Sequence, residues 1–220
     1  MRDSTALLRL DRRTLLALAA ALAAAPALIA PPALAAGLKT VTLLGDSITA
    51  GYGLGAADAL PNQLALALTR IGANARVRGA GVSGDTTADA LARVDFSVQP
   101  DTDLCVVALG GNDLLQGVDP KMVEANLTAI VRRLKARRLR VLIAGMRAPV
   151  SIGADYARAF NAVFPAVARS EHAGLYPYLL DGVGGDARLN QSDHIHPNPA
   201  GVKIIASRLA PVVARALTAR

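Results

Sequence analysis

The chain has 220 residues, 52% apolar and 19% charged, with a formal net charge of +7. These values mark a folded globular chain with enough residues for one domain and a substantial core. Aromatic residues make up 3% and Trp is absent, so a stacking platform for sugar rings or bases is poorly supplied, and a single cysteine excludes an intramolecular disulfide.

The first 35 residues read as a cleaved export signal. Arg12-Arg13 precede TLLALAAALAAAPALIA, a stretch too short and Ala-rich for a membrane span. Ala33-Leu34-Ala35 then supplies a small-x-small cleavage site. DRRTLL is twin-arginine-like, although it lacks the usual aromatic; a general secretory signal and an uncleaved anchor are the rivals. Cleavage after Ala35 removes four Arg and two Asp and leaves a charge of +5. The expectation is a periplasmic or secreted protein with one domain over residues 36–220 and no stable membrane span.

Strand-like and helical patterns then alternate. KTVTLLG (39–45) reads as a strand, NQLALALTRIG (62–72) as a helix closed by Gly72, and ARVRGAG (75–81) as a weaker strand. TTADALARVDFSV (86–98) is helical, with Asp85 or Thr86 as cap. DLCVVALGG (103–111) is a continuous apolar run of the kind buried on both faces, and Cys105 inside it reads as a small buried hydrophobe. Residues 120–137 form an amphipathic helix with Pro120 in its first turn. Its basic run Arg132–Arg138 reads as a solvated helix face, so no nucleic-acid partner is expected. RVLIAGM (140–146) is a buried strand, 154–171 a helix disturbed at Pro165, and GLYPYLL (174–180) an edge strand interrupted by Pro177. Residues 199–217 form the closing helix. Such alternation predicts a mainly parallel sheet covered on both faces, with ligands at the carboxyl ends of the strands.

Four polar clusters fall at those ends or before the last helix: Gly45-Asp46-Ser47, Gly81-Val82-Ser83-Gly84-Asp85, Gly110-Gly111-Asn112-Asp113 and Asp193-His194-Ile195-His196. A serine nucleophile needs a base in hydrogen-bond reach and a third group to orient that base. Of three histidines, His172 ends a helix and His194 adjoins Asp193, where extended backbone sends neighbouring side chains apart. His196 is therefore the base and Asp193 its orienting acid; the rival is a surface loop with two incidental histidines. Gly84 offers a backbone N–H, Asn112 a side-chain NH₂ and Ser47 its own N–H as donors for an oxyanion. Singly, Gly84 reads as a turn glycine and Asn112 as a cap. Ser83 is a competing nucleophile on pattern, ranked below Ser47 because Gly84 beside it is better used as a donor. Asp46 reads as holding its turn and Asp113 as structural.

GDSITAGYGL, GVSGDT, GGND and DHIHPN, in this order, resemble the four sequence blocks of the SGNH, or GDSL-type, hydrolases. The likeness runs from about residue 38 to the end and looks closest to the branch of thioesterase I, lysophospholipase L1 and arylesterase. It implies a flavodoxin-like three-layer α/β/α sandwich with a mainly parallel five-stranded sheet. It implies hydrolysis of acyl esters or thioesters with no cofactor and no metal, by Ser47, Asp193 and His196, with Ser47, Gly84 and Asn112 as the oxyanion hole. The second glycine of a G-x-S-x-G elbow is missing, and acid and base share one short segment; both features separate the chain from α/β-hydrolases. Segments 114–117 and 146–150 are expected to border an acyl groove, with Tyr156 either closing a wall or packing.

The resulting expectation is an exported serine esterase of broad acyl specificity, acting on small-molecule acyl esters and thioesters, lysophospholipids among them. The rivals are a carbohydrate O-deacetylase or acetyltransferase on the same scaffold and a non-catalytic lipid-binding envelope protein.

Overall fold

The computed structural model describes residues 37–219, so the expected signal segment lies outside the described residues. Five strands form one sheet: β1 (Lys39–Gly45), β2 (Ala75–Gly81), β3 (Leu104–Ala108), β4 (Arg140–Ala144) and β5 (Gly174–Tyr176), in the order β2-β1-β3-β4-β5 and all parallel. This is the flavodoxin-like order. Every residue of β3 is buried, as a central parallel strand requires.

The helices are α1 (Ser47–Ala50), α2 (Leu60–Arg70), α3 (Thr87–Ser97), α4 (Gly111–Leu115), α5 (Pro120–Ala136), α6 (Ala154–Ser170) and α7 (Pro199–Thr218). α2 packs on α7, while α3, α5 and α6 pack side by side as a second layer. None of the described helices is long and apolar enough to cross a membrane. Caps set several boundaries. Thr86 and Asp89 form a reciprocal capping box on α3, Asp119 accepts the Lys121 N–H at 2.9 Å, and Asn198 accepts from Ala200 and Gly201 on α7.

Pro165 does not disturb α6, which runs unbroken through it. A helix-interior proline costs about 3 kcal/mol. Phe160, Phe164 and Val167, all at most 1% exposed, bracket it, and burial of each such side chain returns about 1.5–3 kcal/mol. β3 stops at Ala108, short of the expected 111, because Gly110 turns the chain at φ 107° into α4. β4 and β5 likewise end at Ala144 and Tyr176, the latter just before Pro177.

The register positions the site. Gly45 of β1 lies opposite both Gly81 of β2 and Ala108 of β3, so these three strands end level with one another. α1 then crosses very close to β2: a Cβ on Gly81 would stand 2.4 Å from the Ala50 nitrogen. Glycine is required there for close approach.

Candidate active site

Ser47 opens α1 two residues beyond the end of β1 and is 8% exposed. As the first helical residue it carries an N–H with no intrahelical partner. Asp46 caps the turn, accepting the Ile48 N–H at 3.0 Å. Burial raises the Asp46 carboxyl from 3.8 to about 6, against the Ile48 N–H and the nearby His196.

His196 lies 149 residues away in sequence, yet its Nε2 is 2.8 Å from Ser47 Oγ. Its Nδ1 is 2.6 Å from Asp193 Oδ2. Asp193 Oδ1 accepts the N–H groups of Ile195 at 2.9 Å and His196 at 3.0 Å. The His196 backbone N–H and imidazole, with the Ile195 N–H, hold the Asp193 carboxyl down to about 2. An ionised carboxylate only accepts, so Nδ1 carries the imidazole proton and Nε2 accepts from the Ser47 hydroxyl. The backbone between acid and base is not extended, as the sequence reading had it. His194 takes φ 59°, and Asp193 caps the resulting tight turn with its own side chain.

Asn112, in α4, donates from Nδ2 to the Asp85 carbonyl at 2.8 Å, which leaves one N–H of the amide for a ligand. Gly84 lies on the loop after β2, exposed, at φ 92°. A Cβ there would meet nothing within 4 Å, so the glycine serves the left-handed backbone and not a lack of space. Asp113 is buried and accepts from the Thr87 N–H and hydroxyl at 2.9 and 2.6 Å.

A cleft of about 230 Å³ opens over Ser47 and is lined by Asn112, His196, Leu114, Leu115, Met146 and Arg147, with Tyr178 and Leu180 beyond. Of the five predicted residues, Ser47, His196 and Asn112 line it, and Asp193 stands behind His196; Gly84 and Ser83 are not among its lining residues. Of the expected borders, Gln116, Gly117 and residues 148–150 are also not in the lining, and Val150 is 71% exposed. Tyr156 packs: its ring stacks on Phe160 and its hydroxyl donates to the Val118 carbonyl at 2.9 Å. Cys105 is fully buried, and burial pushes its thiol up to about 12, which leaves it inert. Among the described residues no cluster of His, Cys, Asp and Glu is placed to hold a metal ion.

The family model for the GDSL-like lipase/acylhydrolase family matches residues 43–204. The chain belongs to this family. Among its relatives, the esterase TesA of Pseudomonas aeruginosa is 37% identical over 163 residues, 74% of this chain and 81% of that protein. The thioesterase 1/protease 1/lysophospholipase L1 of Escherichia coli is 34% identical over 177 residues, 80% of this chain and 84% of that protein. The crystal structure of AlinE4, an SGNH-hydrolase family esterase, superposes with a TM-score of 0.68 at 43% identity and covers 83% of this chain and 98% of that one.

Two groups around the site of this GDSL-like hydrolase gave no signal in the sequence. The Tyr52 ring lies against the His196 imidazole with centroids 4.7 Å apart, and Gln191 Nε2 ties the Tyr52 carbonyl to that of Pro197 at 2.8 and 3.1 Å. Arg93 of α3 reaches beneath the loops after β1 and β2. The basic run of α5 is engaged with neighbours: Arg132 pairs with Glu171, and Lys135 donates to the Glu171 carbonyl.

Proposed function

We propose that this GDSL-like acylhydrolase is an exported serine esterase that cleaves carboxylic esters and thioesters through an acyl-enzyme. Its substrates are short to medium acyl esters, aryl esters, acyl thioesters and lysophospholipids. Ser47 Oγ attacks the acyl carbonyl while His196 Nε2 takes its proton, and Asp193 keeps the imidazole in the accepting tautomer and stabilises the imidazolium. The N–H groups of Ser47 and Gly84 and the free amide N–H of Asn112 receive the oxyanion. His196 then protonates the leaving alcohol or thiol, and water repeats the sequence to free the acid and Ser47.

The observation that carries this reading is the unbroken line from Asp193 through His196 to Ser47, at 2.6 and 2.8 Å, on the floor of an apolar cleft. The names of the relatives, esterase and thioesterase/lysophospholipase, support the substrate class. The leader-like segment before residue 36 supports export to the periplasm or beyond.

The test is hydrolysis of p-nitrophenyl esters from acetate to palmitate by the chain and by Ser47→Ala, with labelling by a fluorophosphonate probe. Loss of both turnover and label in Ser47→Ala is expected; equal activity in both proteins removes Ser47 as the nucleophile. Amino-terminal sequencing of protein recovered from the periplasm tests cleavage after Ala35, and a protein retaining Met1 in the cytoplasm refutes export.

A further inference from the structure

The three proposed oxyanion donors stand on three separate segments that follow β1, β2 and β3. Such a constellation must be held to about 0.5 Å, and a misplacement of about 1 Å can cost about 10²-fold in rate. One side chain holds the first two of these segments directly and meets the third through Asp85. Arg93 Nη2 donates to the Gly45 carbonyl at 2.9 Å, immediately before Asp46-Ser47. Its Nη1 donates to the Ala80 carbonyl near the end of β2 at 3.0 Å and to Ser97 Oγ at 2.9 Å. Its Nε donates to Asp85 Oδ2 at 2.5 Å, and Asp85 directly follows Gly84. The carbonyl of that same Asp85 accepts from Asn112. The ion pair is well sheltered, with side chains 20% and 10% exposed.

We propose that Arg93 is the positioning residue of the oxyanion hole: its guanidinium fixes the Ser47 and Gly84 loops to one another and, through Asp85, aims the Asn112 amide. The inference rests on the serine-esterase reading above. Four of its five N–H groups are committed in one plane to four different acceptors. A lysine ammonium at the same position has three donors on one atom and cannot span them. A brace for the fold alone has no need to converge on the segments that carry Ser47 and Gly84 and on the very residue whose carbonyl holds Asn112.

The experiment compares the full chain with Arg93→Lys and Asp85→Asn, assayed well below their melting temperatures. Three quantities are read on a p-nitrophenyl ester: kcat, KM, and the affinity of a trifluoromethyl ketone whose serine adduct places an oxyanion in the hole. Arg93→Lys is expected to lower kcat about 10²-fold, with KM changed by less than about threefold, and the ketone to weaken in parallel with kcat/KM. Asp85→Asn keeps the carbonyl for Asn112 but loses the charged grip, and is expected to fall between the two. A lower melting temperature with kcat and ketone affinity at the wild-type level overturns the proposal and leaves Arg93 a structural brace. If Arg93→Lys does not fold, Asp85→Asn decides alone, and unchanged kcat in it overturns the proposal. Wild-type activity that survives Ser47→Ala fails the serine reading itself and takes this inference with it, an outcome distinct from a Ser47-dependent enzyme indifferent to Arg93.

Discussion

Replacing Asp193 with Asn tests the tautomer logic of the site. Asp193 Oδ1 accepts two backbone N–H groups, from Ile195 and His196, and Oδ2 takes the imidazole Nδ1. An Asn side chain must keep its oxygen toward the two N–H groups. Turning the amide over would set its NH₂ against two donors, losing two hydrogen bonds at about 1 kcal/mol each, and more for each donor left unpaired. The amide nitrogen therefore faces Nδ1 and donates to it. Nδ1 must become the acceptor, and the proton moves to Nε2, which then points a donor at Ser47 Oγ across 2.8 Å. The base is present, well placed and in the wrong form. An exchange of this kind lowers kcat by about 10⁴, or about 5.5 kcal/mol of transition-state stabilisation. The assay is kcat on p-nitrophenyl butyrate at pH 8, beside Asp193→Ala, with thermal melting to establish folding. If the acid serves only to position the imidazole, Asn, which keeps every hydrogen bond, far outperforms Ala. An Asn variant with more than a tenth of wild-type kcat refutes the tautomer argument.

Three further outcomes follow from the geometry. Asn112→Ala removes one of the proposed oxyanion donors and is expected to lower kcat 10²–10³-fold with little change in KM; steady-state kinetics check it, and a loss confined to KM contradicts it. The Asp46 carboxyl, raised from 3.8 to about 6, keeps its proton in the folded chain where the unfolded chain releases it. Its contribution to stability therefore falls as pH rises from about 4 to about 6, by up to about 3 kcal/mol. Asp46→Asn should gain melting temperature relative to wild type across that window, and a pH-independent difference between the two rules the argument out. The cleft over Ser47 is small, about 230 Å³, with apolar walls at Leu114, Leu115 and Met146. kcat/KM on p-nitrophenyl esters should peak between butyrate and octanoate; a peak at palmitate contradicts that.

The central strands were legible because parallel strands buried on both faces leave continuous apolar runs, and Lys39–Gly45 matched its expected limits; the half-buried edge strand Ala75–Gly81, weaker in pattern, matched as well. The errors came where local composition did not change with the backbone. Leu109, Gly110 and Gly111 continue the apolar, small character of β3, yet the chain has already turned at Gly110. α1 and α4 contain four and five residues, too few for helical periodicity to register. The expected break at Pro165 weighed the proline and not the buried face around it, which is a tertiary quantity.

The residues of the candidate site stood out for a different reason. Ser47 and Asn112 are polar groups set just beyond the ends of apolar strands, at odds with the burial pattern before them, and such conflicts between local rule and context collect at functional sites; His196 stood out with Asp193 in the polar segment before the last helix. In-register strand ends at Gly45, Gly81 and Ala108 then put the first three clusters on one rim, so an ordered set of motifs translated into proximity. Arg93 breaks no local rule. It is a charged residue on the polar side of an amphipathic helix, and nothing in DALARVD distinguishes it from a solvated arginine. Its bond to the Gly45 carbonyl joins residues 48 positions apart, and the acceptors at Gly45 and Ala80 are backbone carbonyls, which carry no sequence signature. A residue that acts by holding backbone is visible only once the backbone is in place. The groups proposed to meet substrate were therefore legible in the sequence, and the group proposed to aim them was not.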